Sequence, residues 1–351
     1  MQALWGLWAS CIANATFGAA LPLAERFCRV ADTANPADRL IADRMLGASL
    51  HYLGEQSGAR RHLMRMRSDL VRVQSDQPGK VRTASPSSPP CLSWPRAATG
   101  SRPSRTPALA RVLWLQGLAD EAMRTVVSIV DEAVSINHTL SLCNVLAEAA
   151  CPVSLYAGDV AAAERFTAML LDQTARHALD VFHAHGRCFK GMLLIKQGDV
   201  EVGLQLLDEL RRQDKWPQFH TAFLGGLAEG FAVAGDAIQG LTRIHEALAR
   251  SELTEERWVM AELLRIRGEL LLLKNEPSTA QEYFLQALDW ARRQDALSWE
   301  LRAATSVARL WHRQHRTAQA RKLLAPVYAR FTEGFGTADL IAARSLLASL
   351  R

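Results

Sequence analysis

The sequence contains no run of about 18 uninterrupted apolar residues, so a membrane-spanning helix is not expected. Its six cysteines (Cys11, Cys28, Cys91, Cys143, Cys151 and Cys188) include no tightly spaced pair. That spacing fits reduced thiols in a cytoplasmic protein better than a disulfide scaffold. A phosphate-binding loop is also lacking. Such a loop needs Gly-x-x-x-x-Gly-Lys-Ser/Thr, so that backbone N–H groups cradle the phosphates and the lysine reaches the terminal ones. The only Gly-Lys pair is Gly79-Lys80, followed by Val81, with Gln74 where the first glycine should stand. There is no Gly-x-Ser-x-Gly nucleophile elbow either. The net charge of +5 is concentrated in residues 74–107, where Lys80, Arg82, Arg96, Arg102 and Arg105 face one acid, Asp76. The remainder is close to neutral, so the sequence carries no electrostatic footprint for nucleic acid.

What is present is a repeated turn. Gly54-Glu55, Gly117-Leu118, Gly158-Asp159, Gly198-Asp199, Gly235-Asp236, Asn275-Glu276 and His315-Arg316 each separate two apolar helical runs. From Gly117 onward the intervals are 41, 40, 37, 40 and 40 residues, a period of helical-hairpin solenoids. A unit of that size cannot bury its apolar face alone, so neighbours must stack. The expected fold is an all-α right-handed superhelix of about seven to eight tetratricopeptide-like hairpins. Helices are predicted at about 2–14, 17–31, 37–53, 56–70, 108–116, 118–134, 139–157, 160–177, 179–197, 200–213, 218–234, 237–251, 255–273, 278–294, 297–313, 317–332 and 337–350. The apolar start, Met1 to Trp8, lacks the basic segment of a signal peptide and reads as the first solenoid helix. Ala163, Gly203, Gly240, Ala280 and Ala320 mark where paired helices approach closely. Ser278 or Asn275 is expected to cap the helix entered at Pro277.

Residues 74–107 break the pattern. They hold seven of the 13 prolines and stretch the Gly54-to-Gly117 interval to 63 residues. Proline removes backbone donors and bars continuous helix, so this stretch reads as loop or disorder. The chain thus divides into N-terminal hairpins at 1–73, the Pro/Ser-rich segment at 74–107 and the main solenoid at 108–351. The abrupt stop near Val73 and resumption near Ala108 favour a reading-frame disruption over a genuine insertion.

Candidate chemistry is sparse. His177, His183, His185 and Cys188 form the one metal-like group, but the spacing does not converge four ligands, and half-buried helix positions explain it better. Cys143 and Cys151 read as small buried side chains. Asp131-Glu132 and Glu255-Glu256 read as solvated charge at helix ends. Trp5, Trp8, Trp114, Trp258, Trp290, Trp299 and Trp311 read mainly as core between repeats. Trp258, Trp299 and Trp311, in the last two full repeats, are the candidates for lining a concave groove that holds a peptide or effector.

Several stretches carry a resemblance. They are "ALWGLWAS…FGAALPLAERFC", "RLIADRMLGASLHYLGEQSGARRHL", "ARVLWLQGLADEAMR", "SLCNVLAEAACPVSLYAGDVAAAERF" and the long C-terminal run from Arg257 to Leu340. Most specific are Glu262-Leu263-Leu264-Arg265-Ile266 with Gly268-Glu269-Leu270, and Ser298-Trp299-Glu300-Leu301-Arg302. Together they resemble the C-terminal tetratricopeptide-type region of bacterial regulators that join a winged-helix DNA-binding domain to a signal-transduction (STAND-type) ATPase. The resemblance implies a cytoplasmic sensor or scaffold region that binds protein, peptide or a small effector in its groove. It implies no catalysis or cofactor in this region, and no direct contact with nucleic acid or membrane. The family's ATPase and DNA-binding functions do not carry over, because the phosphate loop and winged helix are not in this sequence. An independent interaction scaffold is the nearest alternative; a fragment of an ATPase or nucleotide cyclase is a distant one.

Overall fold

The computed structural model describes residues 1–31, 35–76, 107–212 and 219–350, and among these every regular element is helical. The helices pair in sequence: α1 (Gln2–Ala13) with α2 (Phe17–Val30), α3 (Pro36–Tyr52) with α4 (Gln56–Asp76), and α5 (Pro107–Leu115) with α6 (Ala119–Ile136). The fourth hairpin joins α7 (Thr139–Val145) and α8 (Cys151–Ala157), continuous through one π-helical turn, to α9 (Val160–Arg176). Then come α10 (Asp180–Gln197) with α11 (Val200–Arg212), and α12 (His220–Val233) with α13 (Ala237–Thr254). The last pairs are α14 (Met260–Leu273) with α15 (Pro277–Arg293) and α16 (Leu297–Arg313) with α17 (Thr317–Tyr328); α18 (Ala338–Ser349) closes the end. The hairpins pack in chain order into an all-helical solenoid.

One backbone device makes every recurring turn. At Gly158 the chain turns left-handed (φ 75°), its N–H bonds to the Leu155 carbonyl, and the Asp159 N–H bonds back to the Ser154 carbonyl. The same pair of bonds recurs at Gly54, Gly117, Gly198, Gly235, Asn275 and His315. This is the Schellman closure of a helix C-terminus. The residue after the left-handed one already caps the next helix: the Ala162 N–H donates to Asp159 Oδ1, and the Gln239 N–H to Asp236 Oδ1. The two-residue turn therefore decides the capping question at Pro277. Asn275 is the left-handed residue and Glu276 the N-cap, so neither Asn275 nor Ser278 caps α15.

Burial divides the helices into two shells. The second helices bury one stripe each: Ala163, Phe166 and Leu170 on α9; Gly203, Leu207 and Leu210 on α11; Ala280, Phe284, Ala287 and Ala291 on α15. The first helices α5 and α16 are buried on nearly all sides, because they face both their partners and the superhelix axis.

The coil also closes on itself. The Tyr52 carbonyl at the end of α3 accepts from the Arg257 and Trp258 N–H groups before α14. Ser298 on α16 donates to the Trp114 carbonyl on α5, and Arg302 to the Tyr156 carbonyl on α8. Asp120 accepts from the Gly334 N–H, while Glu333 accepts from the Glu121 N–H. The Arg302–Tyr156 contact joins hairpins four apart in the order of the chain, and the others join hairpins five apart. The first hairpins thus form one layer, and the C-terminal hairpins stack on them as a second.

This stacking overrides helix propensity in two places. The expected helix 255–273 begins at Met260, because Glu255 turns left-handed (φ 56°) and residues 257–258 give their donors to Tyr52 of the other layer. The expected helix 317–332 ends at Tyr328, and Phe331 to Gly334 dock against α6. Pro152 explains the π turn at Leu146–Ala150: it has no N–H for the Glu148 carbonyl, and the chain widens there. Residues 139–157 satisfy the length and composition of a membrane span, yet 72% of that window is buried inside the protein, as the inner helix of the fourth hairpin. Helix α4 continues to Asp76 and α5 begins at Pro107; residues 77–106 of the expected break lie outside the described residues.

The layers impose a constraint on the turns that can be tested. A Cβ on Gly158 would lie 2.9 Å from the Ala338 Cβ of the second layer, whereas one on Gly198 would meet nothing within 4 Å. Both are left-handed. Gly198→Ala should cost only the conformational penalty, about 1 kcal/mol. Gly158→Ala should cost that plus about 1–3 kcal/mol of overpacking. Urea unfolding of both variants checks the difference; equal losses would mean that α18 does not seat on the Gly158 turn.

Candidate functional site

At the centre of the two layers lies Arg111, a lone charge in the apolar helix α5, with 2% of its side chain exposed. Its Nη2 donates to Glu148 Oε2 at 3.1 Å and to the Tyr52 hydroxyl at 3.3 Å. The guanidinium lies 5.1 Å from the Tyr52 ring, 4.9 Å from Phe219 and 5.8 Å from Trp258. One side chain of the third hairpin therefore touches the second, fourth, sixth and seventh. Glu148 reaches it from the π turn that Pro152 creates. Burial pushes the Glu148 carboxyl above its usual range, and Arg111 pulls it part of the way back. Burial would lower Arg111, but Tyr52 and Glu148 outweigh it and hold the guanidinium firmly charged.

A second hub stands on α14 and α16. Glu262 accepts from Arg265 Nε at 2.7 Å and from Arg302 Nη1 at 2.8 Å, and Arg302 Nε also donates to Asp339 on α18. Burial alone would raise the Glu262 carboxyl; the two arginines reverse this and hold it at about 2. Arg302 covers the Trp114 ring at 5.4 Å and the Trp299 ring at 5.0 Å.

Between the hubs the aromatic rings meet. Trp114 stacks on Tyr156 at 5.0 Å and meets Trp299 edge-on at 4.7 Å, and Tyr156 meets Trp258 edge-on at 6.2 Å. Trp299 Nε1 donates to the Trp258 carbonyl, and Trp258 Nε1 to Glu256 Oε1. The structure thus brings Trp258 and Trp299 together, but at 0% and 1% exposure. Neither ring presents a face to an open groove, because the inner helices of both layers fill the axis. Trp311 is elsewhere, about 18 Å further along α16. It is half-buried, donates to Gln281, and is covered by Arg316 at 4.6 Å. Glu256, expected to be solvated, is fully buried; burial raises its carboxyl, which holds the Trp258 indole.

The remaining candidates take part in packing. His185 sits among Phe182, Phe219 and Phe223, His183 meets Thr174 Oγ1 at 3.0 Å, and His177 is exposed. Cys143, Cys151 and Cys188 are buried, and burial pushes the Cys151 thiol up to about 12. No group of three or more His, Cys, Asp or Glu side chains among the described residues is placed to hold a metal ion.

Two clefts remain. One follows the axis past Tyr156, Met192, Lys196, Glu229, Glu262 and Trp299, with a free volume of about 30 Å³. That is room for a water or two, far below the roughly 300–1,000 Å³ of small-molecule sites. The other, of about 370 Å³, opens on the seam between the layers and is lined by Ser57, Arg60, Arg61, Met64, Gln116 and Asp295.

No protein-family model matches the chain, and no curated protein matches it. Among solved structures, it is similar to a signal transduction ATPase with numerous domains (STAND) protein with a tetratricopeptide repeat sensor, from Pyrococcus horikoshii. The identity is 12% and the TM-score 0.46, over 95% of this chain and 49% of that one. The chain therefore spans about half the length of that protein.

The two hubs give two expected outcomes. Arg111→Met strands a buried carboxylate and should lower unfolding free energy by about 3–5 kcal/mol, most of it recovered on adding Glu148→Leu. Chemical denaturation of the single and double variants checks this. Glu262 titrates at about 2 folded, against an ordinary 4.5, so the folded state binds fewer protons across that window. Its contribution is complete above about pH 4.5 and is lost as pH falls towards 2. Glu262→Gln should lower stability at neutral pH and flatten that acid limb; an unchanged limb would contradict the assignment.

Proposed function

We propose that this chain is a non-catalytic helical-repeat binding module, working as the sensor region of a cytoplasmic signalling regulator that recognises a protein, peptide or small effector. The observation that carries the reading is the use of the central chemical groups. Arg111, Glu148, Glu262, Arg265 and Arg302 are committed to one another within a helix or between neighbouring hairpins, and Arg111 and Arg302 also cover aromatic rings of hairpins far apart in sequence. Groups so paired are poor acids, bases or nucleophiles, but they couple one part of a coil to another. The segments carrying the resemblance to winged-helix/STAND regulators, Glu262 to Arg265 and Ser298 to Arg302, coincide with the second hub and support the same reading. With the axis closed, recognition belongs on the rim, the seam and the outer faces, where Trp311 remains a candidate contact.

The test is biochemical. Purified protein should show no ATP turnover above buffer, and its melting temperature should rise with at least one member of a panel of peptides and small metabolites. ATP turnover that co-purifies with the chain and disappears on substituting one of its residues would contradict the proposal.

A further inference from the structure

We infer that the seam cleft is a binding site for a small phosphate monoester that also carries a hydroxyl group. This deepens the effector-binding reading and rests on it. The cleft is an open surface groove with about 370 Å³ of free volume, where the axis cleft has only about 30 Å³. Two adjacent residues of α4, Arg60 and Arg61, both line it. Elsewhere on the same helix Arg65 pairs with Asp43 and Arg67 with Glu121. Arg60 donates only to the neutral Gln116 amide, and Arg61 has no carboxylate partner among the described residues. Two guanidinium groups lining one open volume, neither with a carboxylate partner, match the charge of a phosphate group.

The opposite wall sets the rest of the ligand. Asp295 Oδ2 accepts from Ser57 Oγ at 2.6 Å and Gln116 Nε2 at 2.9 Å. These donors offset part of its charge, and its second oxygen is an acceptor suited to a hydroxyl. A bare anion gains nothing from that carboxylate, whereas a hydroxylated phosphate ester satisfies both walls. Met64 supplies an apolar surface for its carbon skeleton. Because α4 belongs to the first layer and Asp295 to the second, an occupant bridges the layers and favours the closed coil.

Titration calorimetry at fixed ionic strength tests this with glucose 6-phosphate, glucose, inorganic phosphate and sulfate. Glucose 6-phosphate should bind saturably, inorganic phosphate and sulfate about tenfold or more weakly, and glucose undetectably. Arg61→Gln, at an exposed position with no ion pair to lose, should weaken glucose 6-phosphate by about tenfold without changing the melting temperature of the free protein. Arg313→Gln, at the exposed C-terminal end of α16, should leave binding unchanged. Hydrogen exchange at residues 57–61 and 294–297 should slow together on binding. Equal affinity in wild type and Arg61→Gln, or equal binding of all three anions, would overturn the site. No binding to wild type would also overturn it, and would leave the module reading standing if another effector shifts the melting temperature; ATP turnover would remove that reading instead.

Discussion

A single buried cation organises this molecule. A guanidinium in an apolar interior is tolerated only where its charge is met. Arg111 meets it through Nη2 with Tyr52 and Glu148 and through the rings of Phe219 and Trp258, so that groups from four other hairpins surround it. Its Nε and Nη1 are buried without a hydrogen-bond partner among the described residues. Tyr52 and Glu148 come from the hairpins on either side, while Phe219 and Trp258 come from hairpins that reach it only when the coil has made a full turn. Satisfying Arg111 and closing the superhelix are therefore one event. The Glu262–Arg302–Asp339 hub repeats the arrangement one hairpin further on and ties down α18.

Closure changes what a repeat protein of this kind offers to a partner. In an open superhelix the first helices line a concave groove; here they meet across the axis and bury their aromatic rings. The space that persists lies at the edge where the layers abut, and it is walled by both. A ligand there acts on the relative position of the layers, and the arginine hubs carry that position to the interior. The same seam shapes the ends of α13, α14 and α17, where hydrogen bonds to the other layer replace continued helix.

The sequence made the repeat legible because the turn is local chemistry. A left-handed residue followed by an N-cap recurs, and the two periodicities of its flanking helices are visible without tertiary information. The closure is not local, so it was hidden. Trp258 and Trp299 looked like groove residues, and only the five-hairpin offset places them inside. Glu256 looked solvated for the same reason. One signal was available: Arg111 in Ala108–Leu115 and Glu148 in Leu146–Cys151 are lone opposite charges in apolar helices, which together announce a buried pair. Arg60 and Arg61 carried no such signal, since what distinguishes them is the carboxylates they lack in space.

The central claim is that hairpins five apart are in contact. Spin labels at Arg124→Cys on α6 and Thr332→Cys after α17, in a background with Cys11, Cys28 and Cys91 replaced, report on it directly by dipolar distance measurement. Arg124 and Glu333 form an ion pair across the seam at 3.5 Å, so the labels should give one narrow distribution at the short end of the measurable range. A single-layer superhelix would separate them by five hairpins at roughly 10 Å each, about 50 Å. A distribution centred there would contradict the closed coil.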